Sequence, residues 1–372
     1  MKIGIEAQRI FRSNKHGMDF VALETIRELQ KFDHKNEYFI FVAPGEDMCL
    51  KESDNFHIII LKYPTYPLWE QFALPRAVNK YKVDILHCTS NTAPINCPCP
   101  LIVTLHDIIF LEKKRGNNSS LYQNMGWLYR RYVVPRILKK CKHVITVSNF
   151  ERNHIIDILK LDKNKISTVY NGFGKYFKHD NNFLETTSKY FPDKEYFFFL
   201  GNTDPKKNTE RIFKAYSIYH DKSEYPKPLI VADLNQEHIN IILNKLGRID
   251  ITDMIKPLGY VKNSDLPAIY SGSTAFIYAS LRESFGIPLL EGMSCGTPVI
   301  TSNISALPEI AGKGAILINP FDELEISDNM LALENKPEMR KEYIAKGYER
   351  IKMFSWENTA KNTLKLYKKI ID

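Results

Sequence analysis

The stretch SLRESFGIPLLEGMSCGTPVIT, Ser280–Thr301, governs how the whole chain is read. It follows the apolar run Ala275–Tyr278, a strand by composition, so Ser280–Gly286 is expected to form the loop at that strand's carboxyl end. Pro288 suits the first turn of a helix, where its missing N–H costs no hydrogen bond. Leu289–Cys295 continues the helix, Gly296 suits the left-handed residue that ends it, and Pro298 blocks extension. Phe285–Gly286–Ile287 then opens the helix with unpaired N–H groups at the positive end of the dipole, a place for phosphate. Gly286 lets a ligand come close to the backbone. Glu283 falls in the loop and Glu291 is expected in the first helical turn. Carboxylates do not bind an anion, but they accept hydrogen bonds from hydroxyls, so both suit sugar rings flanking a phosphate. The alternative is that Glu291 only complements the dipole and Glu283 is solvated.

Outward from this stretch, the same alternation recurs. Strand candidates in the first half are Lys2–Ala7, Tyr38–Val42, His57–Leu61, Ile85–Cys88, Leu101–Leu105, His143–Val147 and Ser167–Tyr170. In the second half they are Tyr196–Leu200, Pro228–Val231, Ile255–Leu258, Ala275–Tyr278, Val299–Thr301 and Ala315–Ile318. Helical patterns such as Met18–Phe32, Asn149–Leu159, Thr209–Ile218 and Gln236–Leu246 fall between them. Apolar strands alternating with helices indicate parallel sheets. The series pauses at the polar, glycine-containing Asn171–Lys194, which reads as a linker. The expectation is therefore two α/β domains, 1–173 and 190–354, with a last helix over 355–372 packing back on the first. A chain of 372 residues suits that division. Ligands in such folds sit outside the carboxyl ends of the strands, so two facing units would enclose a cleft.

Composition narrows the classes. The hydrophobic share of 44% and charged share of 25% are those of a globular protein. No apolar run approaches the roughly 20 residues that span a bilayer. The start, MKIGIEAQRI, has no continuous apolar segment, so no secretory signal is expected. The six cysteines include no C-x-x-C, and Cys97-Pro98-Cys99 is too tight for a zinc knuckle, which fits a reducing cytoplasm. The net charge of +8 is concentrated between Lys113 and Lys142, where there is no acid. Lys113, Lys114, Arg115, Arg130, Arg131, Arg136, Lys139, Lys140 and Lys142 lie there and should attract phosphate-bearing partners.

Four more stretches carry candidates. In FLGNTDPKKNTERIF, Gly201 turns the chain after a strand, and Lys206 and Lys207 precede a helix capped by Asn208 or Thr209. Ammonium groups oppose the dipole there, which makes sense if they serve a bound anion. In LIVTLHDIIF, His106 and Asp107 fall just past a strand; the histidine is either structural or a sugar-hydroxyl contact or proton shuttle. In HVITVSNFER, Ser148 is a plausible N-cap with Glu151 at N3, without excluding a ligand contact. Gly17 stands just before the first helix, open to a backbone phosphate contact. There is no G-x-G-x-x-G after the first strand, no P-loop, no G-x-S-x-G elbow, no D-x-D and no His/Cys ligand cluster. A dehydrogenase, a P-loop ATPase and a required metal are thus not expected.

The run E-S-F-G-I-P-L-L-E followed by G-T-P-V-I resembles the E-x₇-E signature of glycosyltransferase family 4. GNTDPKKN, TLHD, TVSNFER, VYNGF and LGYVKNSDLPAIYSGSTAFIYAS stand in the family's order, so the resemblance covers essentially the whole chain. It implies the GT-B fold: two facing Rossmann-like doubly wound domains with an interdomain cleft. It implies a retaining, metal-independent hexosyltransferase. The donor is a nucleoside diphosphate sugar, GDP-mannose or a UDP-sugar, used as co-substrate with no cofactor. The acceptor is a glycan or lipid-linked sugar in surface polysaccharide synthesis. By resemblance Glu283 binds the transferred sugar, the backbone around Ser284, Phe285, Gly286 and Ile287 binds sugar and phosphate, and Glu291 holds the ribose. Lys207 matches the diphosphate lysine, Lys206 takes the second cation, Tyr260 and Val261 meet the base, and Gly201 is counted with the donor-binding residues. His106 matches the active-site histidine; Gly17, Asp107, Ser148 and Asn171 are assigned to the acceptor side. Paired glycines of the family are replaced by His16-Gly17, and its arginine after the glycine by Asn202. Such enzymes work in the cytoplasm, many at the inner membrane face, and Arg130–Lys142 with Trp127 and Tyr129 suits a peripheral contact with anionic membrane. A nucleotide-sugar epimerase of GT-B fold and a non-catalytic sugar-nucleotide or glycan-binding protein remain the alternatives. A nucleic-acid partner is suggested by charge alone and lacks a recognition motif.

Overall fold

The structure, a computed structural model, describes residues 1–111, 121–192, 195–259 and 261–371. Its contacts divide the chain into two compact units, Met1–Gly172 with Ser355–Asp372, and Phe173–Phe354.

In the first unit the β-rich, apolar segments form β1 (Lys2–Glu6), β2 (Glu37–Val42), β3 (Phe56–Ile60), β4 (Ile85–Cys88), β5 (Leu101–Thr104), β6 (His143–Thr146) and β7 (Ile166–Thr168). They make one parallel sheet in the order β3-β2-β1-β4-β5-β6-β7. The winding reverses between β1 and β4. Both faces of the central strands are covered, which is why they read as unbroken apolar runs. One cover is the helix Gly17–Phe32, whose Ala22, Leu23, Ile26 and Leu29 recur at helical spacing and are buried. The C-terminal helix Trp356–Ile371 lies beside it and buries Ala360, Leu364 and Tyr367 in the same core. The Tyr367 hydroxyl meets His87 Nδ1 at 2.6 Å, and His87 Nε2 meets Thr104 Oγ1 at 2.7 Å.

In the second unit β8 (Phe197–Leu200), β9 (Leu229–Ala232), β10 (Ile255–Pro257), β11 (Ala275–Tyr278), β12 (Val299–Ser302) and β13 (Ile316–Ile318) form a parallel sheet. The order is β10-β9-β8-β11-β12-β13, so this sheet reverses between β8 and β11. The segment that reads as a linker is structured. It carries the helix Phe183–Thr187, buries Phe177 and Phe191, and sets Phe177 against Tyr270 and Phe191 against Tyr196. His179 Nδ1 lies 2.9 Å from the Cys295 carbonyl oxygen, and the Asp180 N–H donates to Ser271 Oγ at 3.0 Å. Its polar composition reflects these long-range bonds to the second unit, which local pattern does not reveal.

Gly172 is where the C-terminal helix returns: a Cβ there would lie 2.2 Å from the Trp356 backbone nitrogen. Backbone atoms cannot yield, so Gly172→Ala should destabilise the first unit by about 1–3 kcal/mol. Urea unfolding would read this as a lower midpoint with an unchanged slope; an unchanged midpoint would contradict the packing.

Candidate functional site

The loops after β8 and β11 meet where the second sheet reverses, the place at which doubly wound sheets receive ligands. After β8, Gly201 is buried; a Cβ would press on Phe199 and Leu234 at 2.7 and 3.1 Å. Asn202 Oδ1 then accepts from the Asp204 N–H at 2.8 Å, and Asp204 Oδ1 from the Lys206 N–H at 3.0 Å. These short polar side chains wind Pro205–Lys207 into a 3₁₀ turn. The helix Thr209–Lys222 begins at Asn208, but Asn208 does not cap it with its side chain. Its Nδ2 donates instead to the Ala279 and Pro320 carbonyls at 3.2 and 2.7 Å. Asn208 thereby ties the lysine turn to the end of β11, from a left-handed backbone (φ 62°) that asparagine tolerates. A further bond, Leu281 N–H to the Lys206 carbonyl at 2.7 Å, laces the two loops together.

This lacing brings Lys207 Nζ to 2.8 Å from Glu283 Oε1, with both side chains less than one-fifth exposed. The ammonium also lies 5.0 Å over the Tyr278 ring, a favourable cation–π placement. The Tyr278 hydroxyl donates to Glu283; burial and this carboxylate hold the phenol well above its ordinary pKa. Ser305 Oγ fixes the Glu283 backbone twice, accepting from its N–H at 2.9 Å and donating to its carbonyl at 2.5 Å. Three residues on, Gly286 caps the helix Ile287–Ser294 at φ +103°, and a Cβ there would meet Leu307 Cδ2 at 2.9 Å. No side-chain cap occupies that terminus. Phe285 is buried with its ring against Phe354, while Ser284 and Ile287 remain partly exposed.

Other sequence candidates behave differently. Lys206 turns to Asp204 at 3.5 Å and is more exposed than Lys207. Glu291 lies in the second turn, not the first, since the helix begins at Ile287. There it cannot serve the dipole. Burial pushes its carboxyl up from 4.5 to about 8, while a hydrogen bond from the Tyr270 hydroxyl favours the ionised form. Val261 lines an open depression of about 870 Å³ at the carboxyl ends of β8, β9 and β10, with Leu200, Leu234, Pro257 and Gly259. Tyr260 lies outside the described residues, as do Lys113, Lys114 and Arg115.

In the first unit the corresponding reversal joins the ends of β1 and β4. His106 is buried just past β5, its N–H donating to Asn91 Oδ1 at 2.6 Å. Its Nε2 lies 2.9 Å from the Thr89 carbonyl, so Nε2 carries the proton and Nδ1 is the acceptor. Burial lowers its pKa, keeping the imidazole neutral at neutral pH. Asp107 accepts from the Ile109 N–H at 3.1 Å, and Ser148 Oγ caps the helix Asn149–Leu159 by accepting from Glu151 N–H at 3.2 Å. Gly17 has ordinary helical backbone, and a Cβ there would meet nothing within 4 Å, so neither strain nor close approach demands glycine. Asn171 instead lines a water-sized internal cavity with His87, Thr89 and Thr359.

Sequence inspection missed the acids of this edge. Glu6, at the end of β1, is fully buried; burial pushes it up from 4.5 to about 7, against hydrogen bonds from the Gln8 and Thr89 N–H groups. Glu70 is buried beneath the hydroxyls of Tyr66, Thr92 and Tyr129. Asp19 keeps one oxygen on the His16 N–H at 2.9 Å while the other, buried, has no hydrogen-bond partner. Only the position of Glu6 directly after KIGI was available as a signal.

Two family models divide the chain between them: Glycosyltransferase Family 4 matches residues 16–173 and Glycosyl transferases group 1 matches 180–350. The chain belongs to glycosyltransferase family 4. Among curated relatives, O-antigen chain mannosyltransferase B of Escherichia coli is 31% identical over 234 residues, covering 62% of this chain and 61% of that protein. O-antigen chain mannosyltransferase RfbU of Salmonella typhimurium is 29% identical over 211 residues, 57% of this chain and 56% of the relative. These matches thus span less than two-thirds of either relative's length. Solved structures share the GT-B fold over the whole chain. Sucrose-phosphate synthase of Thermosynechococcus elongatus superposes with a TM-score of 0.75 at 16% identity, covering 100% of this chain and 99% of that one. HepE of Anabaena, solved in complex with UDP-glucose, gives 0.73 at 16% identity, covering 99% and 100%.

For this family 4 chain the raised Glu291 pKa has a stability consequence. Unfolded, the carboxyl ionises near 4.5; folded, it keeps its proton to about 8. Its contribution is therefore fully present below pH 4.5 and is lost as pH rises to 8. Glu291→Gln, always neutral, should match the parent near pH 4 and exceed it increasingly up to pH 8 in urea unfolding of the unliganded protein. A difference that does not vary with pH would contradict the burial.

Proposed function

We propose that the chain is a retaining hexosyltransferase that moves a sugar, mannose foremost, from a nucleoside diphosphate sugar to a glycan or lipid-linked acceptor in polysaccharide synthesis. The observation that carries this is the Lys207–Glu283 pair held at the β8/β11 reversal beside the helix that opens at Gly286. Mannose is favoured by the O-antigen mannosyltransferase names of the relatives. The base is guanine or uracil; a UDP-glucose complex of a protein of the same fold supports the second choice.

Lys207 and the first-turn N–H groups at Gly286 receive the diphosphate, and Glu283, released from the ammonium, accepts a hydroxyl of the transferred sugar. Glu291 accepts from the ribose, and the depression at Val261 takes the base. His106 offers Nδ1 to a sugar hydroxyl as a neutral imidazole. As the C1–O bond to phosphate breaks, the ammonium and helix dipole stabilise the charge that develops, a role requiring no metal. The acceptor oxygen attacks on the same face, bonds to C1, and passes its proton to an oxygen of the departing phosphate. In the first unit the buried Asp19 Oδ1, which has no hydrogen-bond partner, is the acid left to accept a hydroxyl of the acceptor. An epimerase or a non-catalytic sugar-nucleotide binder would share the pocket but release no glycosylated acceptor.

A peripheral membrane contact is proposed for the helix Leu121–Lys140. It exposes Met125, Leu128 and Tyr132 at i, i+3 and i+7 next to Arg131, Arg136, Lys139 and Lys140. No helix among the described residues is long and apolar enough to cross a membrane, so attachment would be to the surface, at the cytoplasmic face.

Three outcomes are expected. Lys207→Ala should lower donor turnover at least about 100-fold, some 2.7 kcal/mol of transition-state stabilisation; near-normal turnover would refute the assignment. A thermal-shift panel should pick out one nucleoside diphosphate, stabilising by roughly 2.7 kcal/mol at 100 times Kd; no response to any would count against a donor site. Vesicles rich in anionic lipid should sediment the protein and neutral ones should not; equal partition would remove the membrane contact.

A further inference from the structure

The loop between β4 and β5 contains the run Asn96-Cys97-Pro98-Cys99-Pro100, and it lies outside the donor chemistry described above. Cys97 and Cys99 each precede a proline, so both are confined to extended backbone while the prolines hold φ near −65°. The chain bends at Pro98–Cys99. Both thiols thereby come to one side, with Sγ atoms 3.8 Å apart and both residues partly exposed. An i,i+2 pair on bent backbone separates its Cα atoms by about 5–6.5 Å, within the roughly 4.4–6.8 Å that a disulfide requires. The other four thiols differ. Cys88, Cys141 and Cys295 are buried, and Cys49 gives its S–H to the Ile10 carbonyl at 3.1 Å.

We propose that Cys97 and Cys99 form a reversible intramolecular disulfide, a redox-modification site in the first unit. The oxidant is a low-molecular-weight disulfide such as glutathione disulfide. Cys97 thiolate attacks one of its sulfurs, forms a mixed disulfide and expels one glutathione thiolate. Cys99, giving up its proton, attacks the Cys97 sulfur, closes the ring and expels the second. Two protein thiols and one disulfide thus become one protein disulfide and two glutathione thiols. Either thiol can donate to the other across 3.8 Å; Cys97 is assigned as the attacking sulfur because its pKa is held below the ordinary value by the neighbouring Cys99 thiol.

The same loop reaches the sugar-handling edge. Asn91 holds the His106 N–H; Thr92 sits on Glu70; the Ala93 carbonyl and Ile95 N–H bind Gln71 at 3.1 and 2.9 Å. The Lys140 ammonium anchors its far end through the Ile95 carbonyl and Asn96 at 3.1 and 2.9 Å. Drawing two sulfurs from 3.8 Å to bonding distance therefore strains a segment fastened at both ends.

The test is equilibration of the whole protein in glutathione redox buffers, then acid quench, alkylation and peptide mapping. Reduced protein should alkylate at six cysteines. Oxidised protein should alkylate at four, with one peptide carrying both Cys97 and Cys99 lighter by two hydrogens. Cys97→Ser and Cys99→Ser should each abolish that loss, Cys97→Ser also preventing the glutathione adduct. Retention of six alkylated cysteines at excess glutathione disulfide would overturn the proposal. So would a stable adduct without ring closure, or a bond involving Cys88.

Discussion

An ammonium held 2.8 Å from a carboxylate, at the point where a parallel sheet reverses, is the constraint from which the second unit is best understood. Neither charge would be cheap to shelter alone, and each side chain is less than one-fifth exposed. The loops around them are accordingly overdetermined. Asn208 bridges two carbonyls from distant segments, Ser305 clamps the Glu283 backbone, and Leu281 bonds to Lys206. Such lacing fixes the pair without filling the space beside Gly286, whose positive φ and close neighbour Leu307 leave no room for a side chain. Under the proposed function the backbone around Lys207 is already fixed when the anion arrives, and the Lys207–Glu283 contact is what has to open.

The two units solve one topological problem with different chemistry. Each sheet is parallel and each reverses beside its first strand, β1 against β4 and β8 against β11. The second reversal carries a lysine, a glycine and an uncapped helix start, which favour an anion. The first carries Glu6, Asp19, Glu70, Asn91 and a neutral His106, whose polar contacts run to backbone groups and, at Glu70, to the hydroxyls of Tyr66, Thr92 and Tyr129.

Much of this was legible along the chain, because its determinants are local. Strand, Gly286, Pro288 and Gly296 occur within one stretch, and each has a backbone reason to be there. The lysine turn was legible in the same way. What escaped depends on residues far apart in sequence. The burial of Glu291 beside Tyr270, and with it the raised pKa, comes from packing that the local pattern does not show, and its place in the second turn removes the dipole role. The segment after Gly172 looks like a linker until Phe177 finds Tyr270 and His179 finds Cys295. Asn208 looks like an ordinary cap until its amide is seen on Ala279 and Pro320. Glu70 gave no local sign and Glu6 only its place directly after KIGI, since a buried acid is explained by the hydroxyls and N–H groups that gather around it. Gly17 is a separate case: its backbone is ordinary and the space beside it open, so no strain or close approach calls for glycine there.

The central claim is that the Lys207 ammonium exchanges its Glu283 partner for a diphosphate. A crystal structure of the protein with the bound nucleoside diphosphate tests it most directly. The account predicts phosphate oxygens within hydrogen-bond distance of Lys207 Nζ and of the N–H groups at the Gly286 helix start, with Glu283 turned away from the lysine. A diphosphate seated elsewhere, with the lysine–glutamate pair still closed at 2.8 Å, would contradict it.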